Sequence, residues 1–426
     1  MLVLSRLSDP HAHYYFSDPA REIDEEPPGY WLGTQAQRAG RFGRADRQSV
    51  ERVLSGRHLM SDAQLAPRGS RPGYDLVFTA PKSVSVLFAL GDETARSAVL
   101  SAHKNSVAAA LSHIEEHVAT LSRPTGRAVE TNGVVGIGFD HGKNRGGEPH
   151  LHTHLLLANL VQGEDGRYGR LDGRGLFAHR ASLGALYDAQ LRAELGARLC
   201  VTFVRARSGA LEVAQVDPFL RGLYSGRSAE LAQHRFERTR RSMRFIDREE
   251  KSFERDAVAW RRHWRNSAER MGVTVAALSQ VSQRPLLNRG ERENSQGATL
   301  DERHFAWRVG AHSATLCRRH VVGGAAHATL DGALIASLNA FVDAIATFGE
   351  GRGLSEGRVP LVAVTAKAHI SELLGPRPLT VEALHRWQEV AASLTRSERD
   401  LSHGERDFGQ RARSRALSTW QRESFR

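Results

Sequence analysis

The chain has 426 residues, enough for two or three domains with a buried core. It carries 59 Lys and Arg against 48 Asp and Glu, a net charge of +11, and 40% of its residues are hydrophobic; this excludes a wholly disordered chain and makes a polyanion, usually nucleic acid, a candidate partner. No apolar run approaches the roughly 18 residues of a membrane span, and Met1–Leu7 is too short and polar for a signal peptide. The two cysteines, Cys200 and Cys317, support neither a disulfide framework nor a cysteine zinc site, so a reducing cytoplasm is expected.

In chain order, Leu2, Leu4 and Leu7 mark a short opening strand. Asp9-Pro10 reads as an N-cap and first helical residue, which places Tyr14 and Tyr15 in a short helix. Residues 17–35 are acidic, contain Pro and Gly, and are expected as loop. Asp75–Ala80 reads as a strand ended by Pro81, Lys82–Leu90 as an apolar helix, and 93–121 as a long amphipathic helix without Gly or Pro. Val134–Asp140 and Leu151–Val161 are strand-like runs joined by the Gly-rich loop 142–149, a hairpin with a flexible tip. Arg167–Leu171 is a further candidate strand, 175–199 a helix, and 200–205 with 210–214 a second small hairpin. Beyond Pro218 helix dominates. Residues 227–271 alternate in charge and include Arg240, Arg241, Arg244, Arg261, Arg262 and Arg265, a pattern that suits a solvated helix face or a nucleic-acid contact. This places a first domain at 1–280, a linker at 281–300 and a mainly helical extension at 301–426. Hairpins interleaved with grouped helices indicate an α+β fold with a central antiparallel sheet flanked by helices.

The chemistry concentrates in Pro149-His-Leu-His-Thr-His154. On a strand, positions i, i+2 and i+4 share one face, so His150, His152 and His154 point the same way. His141 closes the preceding strand and lies beside the start of the second. Two strand histidines plus one from a neighbour make a three-imidazole site with open positions, the pattern of a catalytic metal. At this level the ligand set is ambiguous, because His150 can replace His141. Asp75 reads first as a strand-start cap; the alternative is a carboxylate that orients a ligand histidine. Tyr14 and Tyr15 are adjacent, and a tyrosine hydroxyl is a competent nucleophile toward phosphorus beside a metal. No Gly-x₄-Gly-Lys-Ser/Thr loop is present, which excludes a P-loop ATPase. There is also no Gly-x-Ser-x-Gly elbow.

Several segments in order carry a resemblance. They are the Tyr14-Tyr15 pair, Gly29-Tyr-Trp-Leu-Gly33, and Gly73-Tyr-Asp-Leu-Val-Phe-Thr-Ala-Pro-Lys-Ser-Val-Ser85. Phe139-Asp-His141, Glu148-Pro-His-Leu-His-Thr-His-Leu-Leu-Leu-Ala-Asn159 and Leu186-Tyr-Asp-Ala-Gln-Leu-Arg192 follow. Over about residues 1–235 the sequence resembles the relaxase domain of TrwC/TraI-type (MobF) conjugative relaxases, in the HUH endonuclease superfamily. The resemblance implies cutting of one DNA strand at an origin of transfer. It implies His141, His152 and His154 as ligands of a divalent metal, Mg or Mn in the cell with Zn or Ni taken up in vitro. It makes Asp75 the aspartate beside the metal histidines and Tyr14 the nucleophile, with a 5′-phosphotyrosyl link and a free 3′-hydroxyl as products. Basic side chains, Lys82 and Arg145 among the candidates, would grip the DNA backbone. The implied partners are single-stranded origin DNA, relaxosome accessory proteins and a coupling protein, without membrane insertion. Many members carry a second tyrosine pair; here 16–29 has none and Tyr30 is the only other tyrosine nearby. The long members carry a helicase with a Walker motif, absent here, so the chain reads as a relaxase domain with a short tail. Two other readings of the histidines are a His-x-His metal hydrolase of a small molecule and a degenerate relaxase that only binds DNA.

Overall fold

Five strands form one antiparallel sheet in the order β1-β3-β7-β6-β2: β1 (Leu2–Arg6), β2 (Tyr30–Leu32), β3 (Gly73–Thr79), β6 (Gly136–Lys143) and β7 (Pro149–Ala158). These come from a computed structural model, in which the described residues are 1–8, 28–66, 70–122, 128–144, 146–199, 201–206, 209–226, 257–272, 278, 304, 315–350 and 358–360. Tyr14, Tyr15 and Arg145 lie outside them, as do the expected linker 281–300 and the arginines at 240, 241 and 244.

Strand alternation gives the sheet two different faces. Leu2, Leu4, Leu76, Phe78, Leu151, Leu155 and Leu157 point into the main core. That core is closed by the helices α3 (Lys82–Leu90), α4 (Glu93–His117) and α5 (Gly173–Leu199). Trp31, Ile137, Phe139, Leu156 and Ala158 point the other way, into a smaller core shared with Val50 and Val53 of α2 (Arg47–Leu54). The Asp92 side chain caps α4 by accepting from Ala95 N at 2.7 Å, satisfying one of the helix's unpaired N–H groups.

The sequence-based boundaries shift in several places, three of which matter for the site. Tyr30–Leu32, expected as loop, is the edge strand β2 paired to Gly136–Gly138, and the short helix α1 (Thr34–Arg38) follows it. Helix α4 stops at His117 instead of 121, and Thr120–Ser122 turns into a strand, β4, paired with β5 (Ala128–Glu130). In the main hairpin β6 runs to Lys143 and β7 starts at Pro149, so its strands reach closer to the tip than expected. The small pairs β8 (Val161–Gln162) with β9 (Tyr168–Gly169), and β10 (Phe203–Arg205) with β11 (Leu211–Val213), complete this part, followed by α6 (Pro218–Leu223) and α7 (Ala257–Arg270).

Part of the region beyond 300 belongs to the same core. Strand β12 (Thr315–Cys317) leads into α8 (Arg318–Ala328) and α9 (Ile335–Glu350), and β13 (Arg358–Pro360) pairs back on β12. Val321, Val322, Ala325, Ala326, Ile335, Leu338 and Val342 join the main core. The buried Arg192 of α5 donates from Nη2 to the carbonyls of Ala326 (3.0 Å) and Thr329 (2.9 Å). Burial lowers its pKa to about 10, so the guanidinium stays charged at neutral pH. No helix among the described residues is long and apolar enough to cross a membrane.

Candidate metal centre

The β6–β7 register places His141 directly opposite His152 and Phe139 opposite His154. The ring centroids of His141 and His152 are 5.1 Å apart, and each lies 5.3 Å from that of His154. The three imidazoles therefore cluster on the face that carries the smaller core, toward the hairpin tip. His150 packs on His152 at 4.8 Å, one step further out. Among the described residues, no three His, Cys, Asp or Glu side chains have donor atoms already converged as a metal site.

Hydrogen bonds fix which nitrogen each of two rings presents. His154 donates Nδ1–H to the Asp75 carboxylate, at 3.1 Å from Oδ1 and 3.0 Å from Oδ2. His152 donates Nδ1–H to the His150 carbonyl at 2.8 Å. A neutral imidazole with a protonated Nδ1 keeps its lone pair on Nε2. Burial, then the neighbouring His141 and His150, holds the His152 pKa well below the ordinary imidazole value. His152 is thus neutral at pH 7, the form that ligates a metal.

Asp75 is the third residue of β3, not its first, and so is not a cap. It pairs with Leu156, which makes His154 its diagonal neighbour across the strands, within reach of one side chain. Lys82 donates from Nζ to the Pro149 carbonyl at 3.0 Å, and burial lowers its pKa. Its ammonium ties the first turn of α3 to the start of the histidine strand. Ser85 Oγ accepts from Leu151 N at 3.0 Å, and Ser83 Oγ accepts from Val213 N at 2.8 Å. The Ala-Pro-Lys-Ser-Val-Ser segment thus acts as a bracket that ties both β7 and β11 to α3.

The hairpin tip is held from outside by α7. Trp264 Nε1 donates to the Gly147 carbonyl at 2.7 Å, and Lys143 Nζ lies 4.9 Å above the Trp260 ring. Gly147 has φ +75°, and a Cβ there would run into the Trp260 ring, so only glycine fits. Glu148 accepts from Asn144 Nδ2 at 2.8 Å and from Gly226 N at 2.7 Å. The tip expected to be flexible is in this way tied down at 144, 147 and 148.

Residues 5–271 match the TrwC relaxase family. The chain belongs to that family. Two Escherichia coli proteins named multifunctional conjugation protein TraI, one of them from strain K12, are 31% identical over 201 residues and 30% identical over 218. Those alignments take in 44% and 48% of this chain but only 11% and 12% of TraI, so the chain corresponds to a small part of these relatives' length. Among solved structures, conjugative relaxase TrwC with oriT DNA in a metal-bound form superposes with a TM-score of 0.56 at 24% identity, over 65% of this chain and all of that one. A copper-bound form gives 0.55 at 24% identity, with the same coverage. TrwC with a 27-mer comprising the recognition hairpin and cleavage site gives 0.54 at 23% identity, again over 65% and 100%. At that identity the structures establish a shared fold, and the TrwC-like region carries the hairpin with the clustered histidines.

Proposed function

We propose that this TrwC-family chain nicks one strand of DNA at an origin of transfer through a covalent tyrosyl intermediate. The observation that carries the reading is the pairing of His141 with His152 beside His154, whose ring is oriented by Asp75. Solved TrwC relatives of the same fold are described with oriT DNA and with bound metal, which supports the same substrate and a divalent ion here.

The donor set suits such an ion. Two imidazoles present Nε2, one of them kept neutral by burial, and Asp75 fixes the orientation of the His154 ring by taking its other N–H. His141, His152 and His154 would hold the metal. Imidazole ligands favour Zn, Ni or Cu over Mg in vitro, while Mg or Mn remains our proposal for the cell. When bound, the ion supplies Lewis-acid stabilisation of the scissile phosphate and leaves positions open for its oxygens.

The chain's own residues do the rest. The Tyr14 oxygen attacks phosphorus and loses its proton as the new P–O bond forms. The bond to the 3′ oxygen breaks, and that oxygen leaves as a 3′-hydroxyl after taking a proton. The 5′-phosphate stays on the tyrosine, so the number of phosphodiester bonds is conserved and the step can run backwards to reseal the strand. The net charge of +11 supports a salt-dependent grip on the DNA backbone. Accessory relaxosome proteins and a coupling protein complete the proposed assembly.

The test is cleavage of labelled single-stranded DNA spanning the origin, with and without a chelator. Site-specific, chelator-sensitive nicking supports the reading. Binding without nicking would make the chain a DNA-binding relaxase remnant. Turnover of small phosphate esters with no DNA nicking would favour the metal-hydrolase reading.

A further inference from the structure

Behind the histidine hairpin, on the opposite face of the sheet, lies a buried chain of polar groups that the reaction above does not use. Asp140 and Thr153 are register partners one step from His141 and His152, and strand alternation turns their side chains away from the histidines. Both are buried. Thr153 donates its hydroxyl to Asp140 Oδ1 at 2.5 Å. Tyr30 of β2 donates to the same carboxylate oxygen at 3.0 Å, and Lys104 of α4 pairs with Oδ2 at 3.1 Å. His103, the residue before Lys104, places Nε2 2.7 Å from Thr153 Oγ1 and Nδ1 2.7 Å from the hydroxyl of Tyr187 on α5.

Proton counting fixes the direction of every bond. The threonine hydroxyl has one proton, and it goes to Asp140, so Thr153 Oγ1 accepts from His103 Nε2–H. Burial holds His103 neutral, with a pKa of about 4, so Nδ1 carries a lone pair and the Tyr187 hydroxyl donates to it. Each donor therefore points toward Asp140, whose charge is balanced by Lys104. In a low-dielectric interior such aligned bonds reinforce one another.

We propose that Asp140 and Thr153 are positioning residues for the metal histidines: the chain from Tyr187 to Asp140 sets, from behind the sheet, the spacing of the imidazoles in front. Thr153 is the residue between His152 and His154, and consecutive Cα atoms are about 3.8 Å apart, so pinning Thr153 pins both neighbours. Asp140 does the same for His141. The anchors lie on three separate elements, α4, α5 and β2, which makes the hairpin position insensitive to the movement of any one. A metal constellation needs its ligands held within about 0.5 Å, and a support of this kind supplies that. The proposal rests on the reading of His141, His152 and His154 as metal ligands.

The test uses the full chain and Co²⁺, whose ligand-field absorption reports both affinity and geometry. Thr153→Val keeps the side chain's shape and removes the hydroxyl. It should weaken Co²⁺ binding by about ten-fold, the low end of outer-sphere effects, and alter the absorption bands. Thr153→Ser, which restores the hydroxyl, should return both toward wild type. Tyr187→Phe, at the far end of the chain, should weaken binding in the same direction but less, and guards against a valine variant that does not fold. If the valine and phenylalanine variants only melt at lower temperature while Co²⁺ affinity and spectrum match wild type, the chain is a packing device and the proposal is wrong. A wild-type protein that binds no Co²⁺ at all would instead overturn the metal reading itself, and the proposal with it.

Discussion

Replacing Asp75 by asparagine isolates what the carboxylate does for His154. The wild-type pair has both carboxylate oxygens within 3.1 Å of Nδ1, a charge-assisted contact. Asparagine keeps an acceptor of the same shape and removes the charge. Hydrogen bonds to charged groups contribute about 1.5–3 kcal/mol and neutral ones about 0.5–1.5, so the change costs on the order of 1–1.5 kcal/mol. With about 1.4 kcal/mol per factor of ten, metal affinity should fall roughly ten-fold. Asp75→Ala leaves the Nδ1–H without this acceptor and should fall further, toward about 100-fold. Competition titration against a chromophoric chelator measures the affinities. Nicking at saturating metal should be slowed in Asp75→Asn while the metal stays bound. Wild-type affinity and rate in the asparagine variant would remove Asp75 from the site. Complete loss of metal from that variant would make Asp75 a direct ligand, contradicting the geometry in which it bonds His154.

Other perturbations separate the roles of individual side chains. His152→Ala should abolish chelator-sensitive nicking, whereas His150→Ala, which leaves the backbone carbonyl that orients His152, should be milder; equal losses in both would mean the ligand set is misassigned. Arg192→Met removes two charge-assisted hydrogen bonds to the carbonyls of Ala326 and Thr329, which keep Thr329 Oγ1 and Gly332 N, respectively, as donors, at about 1.5–3 kcal/mol each; limited proteolysis should then cut near 318–330 before the rest of the chain, and an unchanged digest would show that α8 is not held this way. His103 has a folded pKa of about 4 against 6.5 unfolded, so its contribution is complete above pH 6.5 and is lost as pH falls toward 4. That loss amounts to about 3 kcal/mol, and His103→Gln should flatten this part of a stability-against-pH curve; the same acid slope in the variant would place the titration elsewhere.

Segments with a short, regular period are legible in the amino-acid sequence itself. Lys82–Leu90 is a helix with the boundaries expected from its apolar run after Pro81. The alternation in His150–His154 and the position of His141 at a strand end put three histidines together, because pairing in a hairpin is local. Strand β2 is hidden because three residues are too few to show a period, and Pro27, Pro28 and Gly29 precede it. The end of the long helix is overrun because Val118 and Ala119 continue its apolar pattern and no glycine marks the stop. The chain from Tyr187 to Asp140 has no local signal at all. His103 and Tyr187 are 84 residues apart, and His103 and Thr153 are 50 apart. Only the tertiary packing of α4 and α5 on the sheet unites them. The docking of α8 rests likewise on small residues against α5, such as Gly323 on Ser182, whose composition alone reads as an ordinary helix.

Tyrosyl nicking is tested most directly by mapping the covalent adduct. Single-stranded origin DNA is incubated with the full chain and Mg²⁺ or Mn²⁺, the adduct is digested, and the nucleotide-bearing peptide is sequenced. The expected product is a 5′-phosphotyrosyl link on Tyr14, absent with a chelator and absent in Tyr14→Phe, which should still bind the DNA. A link on Tyr15 would shift the nucleophile by one residue. A link on Tyr30, or no adduct in the presence of metal, would contradict nicking by the Tyr14-Tyr15 pair.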